Sequence, residues 1–373
     1  MRSVLVVFLA TLFLVTGGSD SSFADDSLQQ KIGQLVMVGF RGTGLERDEP
    51  SLAALKDDIR KGYVGGVILF DRDVHYPDKE RNVVSLRQVA NLTTSLQKLA
   101  AIPLFVGVDQ EGGRVVRLRP EHGMPLLAAP VALGRGTPAA TEVMAAITAA
   151  SLAKAGINLD FAPSLDVNVR PDSPAIGYWG RSFSEDENLV AQHGLAFARG
   201  LAAHGVIAAY KHFPGHGNAL DDTHKGTADI TRTWQARELA PYTRVLAQSP
   251  PAMVMAGHVY HKKLDADLPA SLSPYVINGM LRRELGWSGV VITDDLDMRA
   301  LSEKYGPREV IRLALLAGAD ILLFGNNLAT KELRAKAIHA IIADLVARGE
   351  VPLWRIEESY DRIMALKTRT LRP

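Results

Sequence analysis

The 373-residue chain contains no cysteine. That excludes a disulfide framework, a thiolate metal site and lipid attachment at a cysteine. A charge imbalance is also missing: 42 basic and 41 acidic residues give a formal net charge of +1. They are spread along the chain without the basic stripe that tracks phosphates, so nucleic acid is not an expected partner. There is no long Gly/Ser/Pro linker, low-complexity tract or internal repeat. An apolar run near the N-terminus, Val4 to Val15, is twelve residues long, short of the roughly 20 that a membrane span needs.

That run follows Arg2 and precedes small and polar residues ending Ser22-Phe23-Ala24, the three-part pattern of a secretory signal peptide. Residues 1–24 are therefore expected to be a leader, with an uncleaved N-terminal anchor as the alternative, and residues 25–373 a single domain. Removing the leader takes one base, Arg2, and one acid, Asp20, so the net charge stays at +1. The expectation is an exported monomer, periplasmic or extracellular, with no stable membrane insertion after leader cleavage.

From Leu35 onward, short apolar runs alternate with long amphipathic stretches, the pattern of βα units and a parallel sheet. The expected strands are Leu35 to Phe40, Val64 to Phe70, Leu104 to Asp109, Asn158 to Pro163, Val206 to Tyr210, Ala252 to His258, Gly289 to Thr293 and Ile321 to Phe324. Asn82 to Ala100, Ala139 to Ala155, Glu187 to His204 and Thr233 to Leu246 are each long enough for a crossover helix. Ala128 to Pro138 reads as a loop. Such units predict a (β/α)₈ TIM-type barrel with an additional C-terminal helix over Leu353 to Leu371. An open doubly wound sheet is the alternative, weakened because no glycine-rich dinucleotide or phosphate motif follows the first strand.

Polar residues gather at the C-terminal ends of these strands, where barrel enzymes build their sites. Asp109-Gln110-Glu111-Gly112-Gly113-Arg114 ends the third, Asp166 and Asn168 follow the fourth, Gly257-His258 ends the sixth and Thr293-Asp294-Asp295 the seventh. The densest is KHFPGHGNALDDTH, Lys211 to His224, in which Pro214 and Gly215 break any regular element and put the polar groups on a loop. Asp222 and His224 flank Thr223; a carboxylate beside an imidazole orients the ring and favours its charged form, which suits proton transfer near neutrality. Alternation along a strand lets only one of Asp294 and Asp295 point into the mouth, leaving the other, and Asp297, to cap a helix. Taken singly, each of these residues is more readily a cap, a turn former or a satisfied polar residue; their joint location is what points to a site. His212, His216, His224 and Asp222 also offer zinc ligands, but His212 and His216 flank a Pro-Gly pair and are not the one-face helical pair of metalloproteases, so acid/base chemistry without a metal is the expectation.

These motifs resemble glycoside hydrolase family 3, in its single-domain β-N-acetylglucosaminidase branch. From about Ile32 to Asn327 the chain carries IGQLVMVGF, GGVILFDRDV, VDQEGGRVVRL, NLDFAPSLDVN, GRSFSED, KHFPGHG, DDTH, VMAGHVY, GVVITDDLDM and GADILLFG in order. The resemblance implies Asp294 as nucleophile, His224 as general acid/base and Asp222 as its partner. It implies Asp109, Arg181, Lys211 and His212 as hydrogen-bonding groups for the terminal sugar, with Arg117 and His258 further candidates for the pocket. The substrate so implied is an oligosaccharide with a terminal GlcNAc, cleaved with retention and without a cofactor. The Asp-His pair would supply the acid/base that multidomain β-glucosidases of the family usually take from a second domain. Thr223 departs from the Ser of the branch's Asp-Ser-His pattern, and the leader departs from the cytoplasmic peptidoglycan-recycling members of Gram-negative bacteria. A phosphorylase on the same residues, a broader β-glycosidase, a metal-dependent hydrolase barrel and a non-catalytic glycan-binding protein are the alternatives.

Overall fold

All eight expected strands are present in the computed structural model, which describes residues 27–46, 50–76, 78–328 and 332–371. The expected leader, residues 1–24, lies outside them. The strands are β1 (Val36–Gly39), β2 (Gly66–Ile68), β3 (Phe105–Val108), β4 (Leu159–Asp160), β5 (Ile207–Phe213), β6 (Ala252–Ala256), β7 (Val290–Thr293) and β8 (Leu322–Phe324). They form one sheet in the order β8-β1-β2-β3-β4-β5-β6-β7, each neighbour parallel. Thr293 N–H donates to the Ile321 carbonyl at 3.0 Å and Ile321 N–H to that of Val291 at 3.1 Å, joining β7 to the start of β8. The sheet is thus closed into a barrel, and its strands read as continuous apolar runs because both faces are covered.

Each strand is followed by a helix: Pro50–Arg60, Leu86–Gln97, Pro138–Lys154, Glu187–Ala202, Ala240–Leu246, Tyr275–Glu284, Pro307–Ala317 and Ala335–Ala347. Ser85, Thr137 and Asp186 start three of them by accepting hydrogen bonds from the N–H groups of Gln88, Ala140 and Asn188. The expected helix over Thr233 to Leu246 instead begins as a 3₁₀ turn, Ala236–Leu239, because Pro241 has no N–H with which to continue a regular helix backwards. The Ala128 to Pro138 loop contains one short helix, Pro130–Leu133.

Inside the barrel, small residues make room for large ones. A Cβ on Gly107 of β3 would lie 2.8 Å from both Met37 Cε and Phe161 Cε2, so the side chains of Met37 on β1 and Phe161 just after β4 fill the space that this glycine leaves. The additional helix, Leu353–Thr370, covers the opposite end from the site. Its Lys367 Nζ donates to Gln34 Oε1 at 2.7 Å and to the Gly65 carbonyl at 2.9 Å, beneath the N-terminal ends of β1 and β2, and burial pushes its ammonium pKa down to about 7. Among the described residues no helix is long and apolar enough to cross a membrane.

Candidate active site

A cavity of about 460 Å³ opens at the C-terminal ends of the strands. Asp109, Arg117, Arg181, Lys211, His212, Asp222, His224 and Asp294 all line it. Of the catalytic and sugar-binding residues that the family resemblance implied, His258 alone does not. Strand β5 runs beyond Tyr210 to Phe213, so Lys211 and His212 project from a strand and not from the loop expected for them. The β5–β6 register shifts between Tyr210 and Phe213, the Lys211–His212 peptide is cis, and both side chains reach the cavity.

The floor is a buried ion network. Lys211 Nζ lies 2.8 Å from Asp109 Oδ1 and 2.7 Å from Glu111 Oε1, while Arg117 donates to Asp109 Oδ2 at 3.0 Å. Arg181 grips Glu111 through Nε at 2.9 Å and Nη2 at 2.7 Å, the bidentate geometry for which guanidinium is suited. Burial alone would raise both carboxyl pKa values; the surrounding cations win, holding Asp109 far below the usual carboxylate range and Glu111 at about 2. Lys211 and Arg181 remain charged despite burial, since the same carboxylates hold their pKa values up. Glu111, whose side chain is fully buried, was not among the expected site residues. It sits two residues after Asp109, a spacing that places both on one side of an extended chain, and this was the signal available.

His212 is fixed from both sides. Its Nδ1 lies 2.6 Å from Asp166 Oδ2, and Arg181 Nη2 lies 3.2 Å from its Nε2. Because a guanidinium only donates, Nε2 accepts and the ring proton sits on Nδ1, donated to Asp166. Asp166 also accepts the Ser164 hydroxyl at 2.9 Å and the backbone N–H of His216 at 2.8 Å. Burial is outweighed by the neighbouring His212, His216 and Arg181, so Asp166 stays ionised. It anchors the KHFPGHG segment without lining the cavity.

Asp294 follows β7 directly. Its Oδ1 accepts the Asp295 N–H at 2.8 Å. Burial raises its pKa, and His258, His212 and His224 more than reverse this, leaving an ionised carboxylate below its ordinary value. Asp295 also lines the cavity, contrary to the alternation expected: β7 ends at Thr293, and the rule stops with the strand. Nor does Asp295 or Asp297 cap a helix. Asp295 Oδ1 accepts the N–H groups of Asp297 at 3.0 Å and Gly325 at 2.9 Å, and Asp297 Oδ2 accepts that of Asn326 at 2.8 Å. Both carboxylates hold the turn after β7 against the turn after β8. His258 stands behind them, with Nε2 donating to the Asp295 carbonyl at 2.9 Å and Nδ1 2.7 Å from the Ser271 hydroxyl; burial lowers its pKa.

Across the mouth, Asp222 Oδ1 lies 2.8 Å from His224 Nδ1 and 3.0 Å from the His224 backbone N, so the ring donates from Nδ1 and leaves Nε2 free for the cavity. The His224 side chain is about half exposed, at 55%. Burial lowers its pKa, but Asp222 and the Asp294 charge raise it above the ordinary imidazole value. Thr223 between them is buried, with its hydroxyl 3.4 Å from His216 Nε2. The side chains weighed as zinc ligands do not converge: no three His, Asp or Glu among the described residues are grouped to hold a metal ion.

Residues 27–366 match the family described as "Glycosyl hydrolase family 3 N terminal domain". A Beta-hexosaminidase from Stenotrophomonas maltophilia is 36% identical over 82% of this chain and 87% of its own length. Beta-hexosaminidase A from Pseudoalteromonas piscicida is 31% identical over 96% of this chain, which spans 64% of that longer protein. Among solved structures, a family 3 β-N-acetylglucosaminidase from Paenibacillus superposes with a TM-score of 0.83 at 38% identity, covering 92% of this chain and 63% of that one. A β-N-acetylhexosaminidase from Beutenbergia cavernae gives 0.81 at 30% identity over 92% of this chain and 99% of its own. The chain belongs to glycoside hydrolase family 3.

Proposed function

We propose that the protein is an exo-acting β-N-acetylhexosaminidase that releases terminal GlcNAc with retention of configuration. The observation that carries this reading is the pairing, in one cavity, of an ionised Asp294 with an imidazole that Asp222 holds by Nδ1, leaving Nε2 to exchange the proton. A cavity lined by Lys211, Asp109 and Arg181, with Glu111 buried beneath them, suits one terminal sugar, whose hydroxyls the three lining groups would hydrogen-bond. The relatives named β-hexosaminidase and β-N-acetylglucosaminidase support the acetamido sugar.

In the first step an Asp294 oxygen attacks the anomeric carbon. The bond to the leaving oxygen breaks, and that oxygen takes the proton from His224 Nε2. In the second, His224 Nε2 accepts a proton from water as the water oxygen attacks the same carbon and releases Asp294. The raised His224 pKa supports a protonated ring at the outset. We further propose export by the N-terminal leader, so that the natural glycans are cell-wall fragments or chitooligosaccharides met outside the inner membrane.

A panel of chromogenic glycosides, assayed with and without inorganic phosphate, tests this. Aryl β-N-acetylglucosaminides are expected to be cleaved far faster than β-glucosides, with free GlcNAc as product and no loss on chelator treatment. Equal or higher β-glucoside turnover would defeat the specificity, and GlcNAc 1-phosphate as the main product would make the protein a phosphorylase.

A further inference from the structure

Asp160, the last residue of β4, is fully buried and takes no part in the steps above. The ladder between β3 and β4 ends beside it: Val108 stands opposite Asp160, and the Phe161 N–H donates to the Val108 carbonyl at 2.8 Å. Beyond that point the Asp160 side chain continues the pairing, its Oδ1 accepting the N–H of Gln110 at 2.9 Å. Gln110 lies between Asp109 and Glu111, so this one bond fixes the backbone from which both floor carboxylates project. The buried Gln110 side chain extends the hold. Its Oε1 accepts the N–H groups of Arg117 and Leu118, each at 3.1 Å, and its Nε2 donates to the Leu118 carbonyl at 2.8 Å. Arg117 is thereby seated where it can donate to Asp109.

The second oxygen of the same carboxyl, Oδ2, is buried without a hydrogen-bond partner among the described residues. Lys211 on β5 is the cation whose field reaches it, and that ammonium is already shared by Asp109 and Glu111, which repel a further negative charge. Asp166 shows what an ionised carboxylate needs at this depth. It accepts from the His212 ring, the His212 and His216 backbone N–H groups and the Ser164 hydroxyl. Asp160 has the Gln110 N–H alone, and a buried charge so poorly supplied is far costlier than the neutral acid. Burial, outweighing Gln110 and Lys211, pushes the Asp160 pKa up to about 8.

We infer that Asp160 is a positioning residue for the sugar seat and that it works as a neutral carboxylic acid. The inference rests on the glycosidase reading above. An anion at this position would draw Lys211 away from Asp109 and Glu111; the acid fixes Gln110 and leaves that pairing intact.

The test uses two variants. Asp160→Asn keeps an oxygen for the Gln110 N–H and never ionises, whereas Asp160→Leu has a similar volume and no acceptor. The first readout is the Tm of Asp160→Asn minus that of wild type, followed from about pH 5 to about pH 9. The unfolded carboxyl loses its proton near 3.8 and the folded one near about 8. Between these values wild-type unfolding releases a proton and is favoured by up to about tenfold per pH unit, an effect that levels off above the folded pKa and that the Asn variant lacks. The difference should therefore grow with pH and then level; a difference that stays flat overturns the neutral acid. The second readout is kinetic, with an aryl β-N-acetylglucosaminide at about pH 6, where the folded acid is protonated. Asp160→Asn should keep the wild-type KM, and Asp160→Leu should raise it roughly two- to tenfold, the worth of one weakened hydrogen bond to the sugar, with a smaller change in kcat. A folded Leu variant with wild-type KM would make Asp160 a packing residue and overturn the positioning role. If the Leu variant does not fold, a raised KM in Asp160→Asn still overturns the neutral acid. Failure of wild type to cleave the glycoside overturns the glycosidase reading, while the Tm comparison independently decides the charge on Asp160.

Discussion

Asp222 Oδ1 accepts two hydrogen bonds from His224, one from the ring Nδ1 and one from the backbone N–H. A single carboxylate oxygen thus orients the imidazole and keeps its proton-exchanging nitrogen, Nε2, toward the cavity. His224 has to be protonated for the first step, so kcat/KM falls as pH rises through its pKa, which lies above the ordinary 6.5. Asp294 has to be ionised, so the acid limb lies below the ordinary 3.8. Asp222→Asn removes the charge that favours the imidazolium, so the alkaline limb should move to lower pH with the acid limb in place. A pH profile of kcat/KM checks this, and an unmoved alkaline limb would mean that Asp222 only shapes the loop.

Replacing His224 by Ala should separate substrates by leaving group. Turnover of natural disaccharides, whose leaving oxygen needs a proton, is expected to fall by about 10²–10⁴. Activated aryl glycosides should lose much less in the first step, show a burst, and stall at the second. Azide needs no base and should restore turnover, giving a glycosyl azide of retained configuration. Equal slowing of both substrates with no burst and no azide product would make His224 a binding or structural residue.

Asp294 and Asp295 are adjacent and both line the cavity, yet their hydrogen bonds set them apart. Asp294→Ala should remove nearly all turnover at little cost in stability. Asp295→Ala strips the acceptor from the N–H groups of Asp297 and Gly325, each worth about 1–3 kcal/mol if left buried and unpaired. Its main effect should therefore be a lower Tm with turnover largely kept. Thermal unfolding and kinetics on the same preparations check the pair.

Glu111 is expected to be needed for the floor itself. Glu111→Ala leaves Lys211 and Arg181 buried without this shared counter-charge, and breaking a buried pair in this way costs about 3–5 kcal/mol. Denaturant unfolding should show the loss, and KM should rise as the sugar's seat loosens.

The strands were legible because each is buried on both faces and so is written as a continuous apolar run. Their polar ends marked the mouth for the same reason: a charged residue closing such a run has nowhere to go but the end of the barrel. Partnerships across the chain were not legible. Glu111 meets Arg181 seventy residues later, and Asp166 meets His212 forty-six residues later; nothing local records either. Asp295 and Asp297 looked like helix caps because the amides they bind, on Gly325 and Asn326, belong to the next strand's turn. The chain's resemblance to its family supplied the sugar, which no spacing of charged residues specifies.

The central claim is that Asp294 becomes covalently bonded to the sugar. A fluorinated N-acetylglucosaminyl inactivator that slows breakdown of the glycosyl-enzyme should add the mass of one sugar to the protein. After proteolysis that mass should be found on Asp294, within the segment Val290 to Met298. Labelling of Asp295 or Asp297 instead, or inhibition with no covalent adduct under conditions of full turnover, would contradict the account.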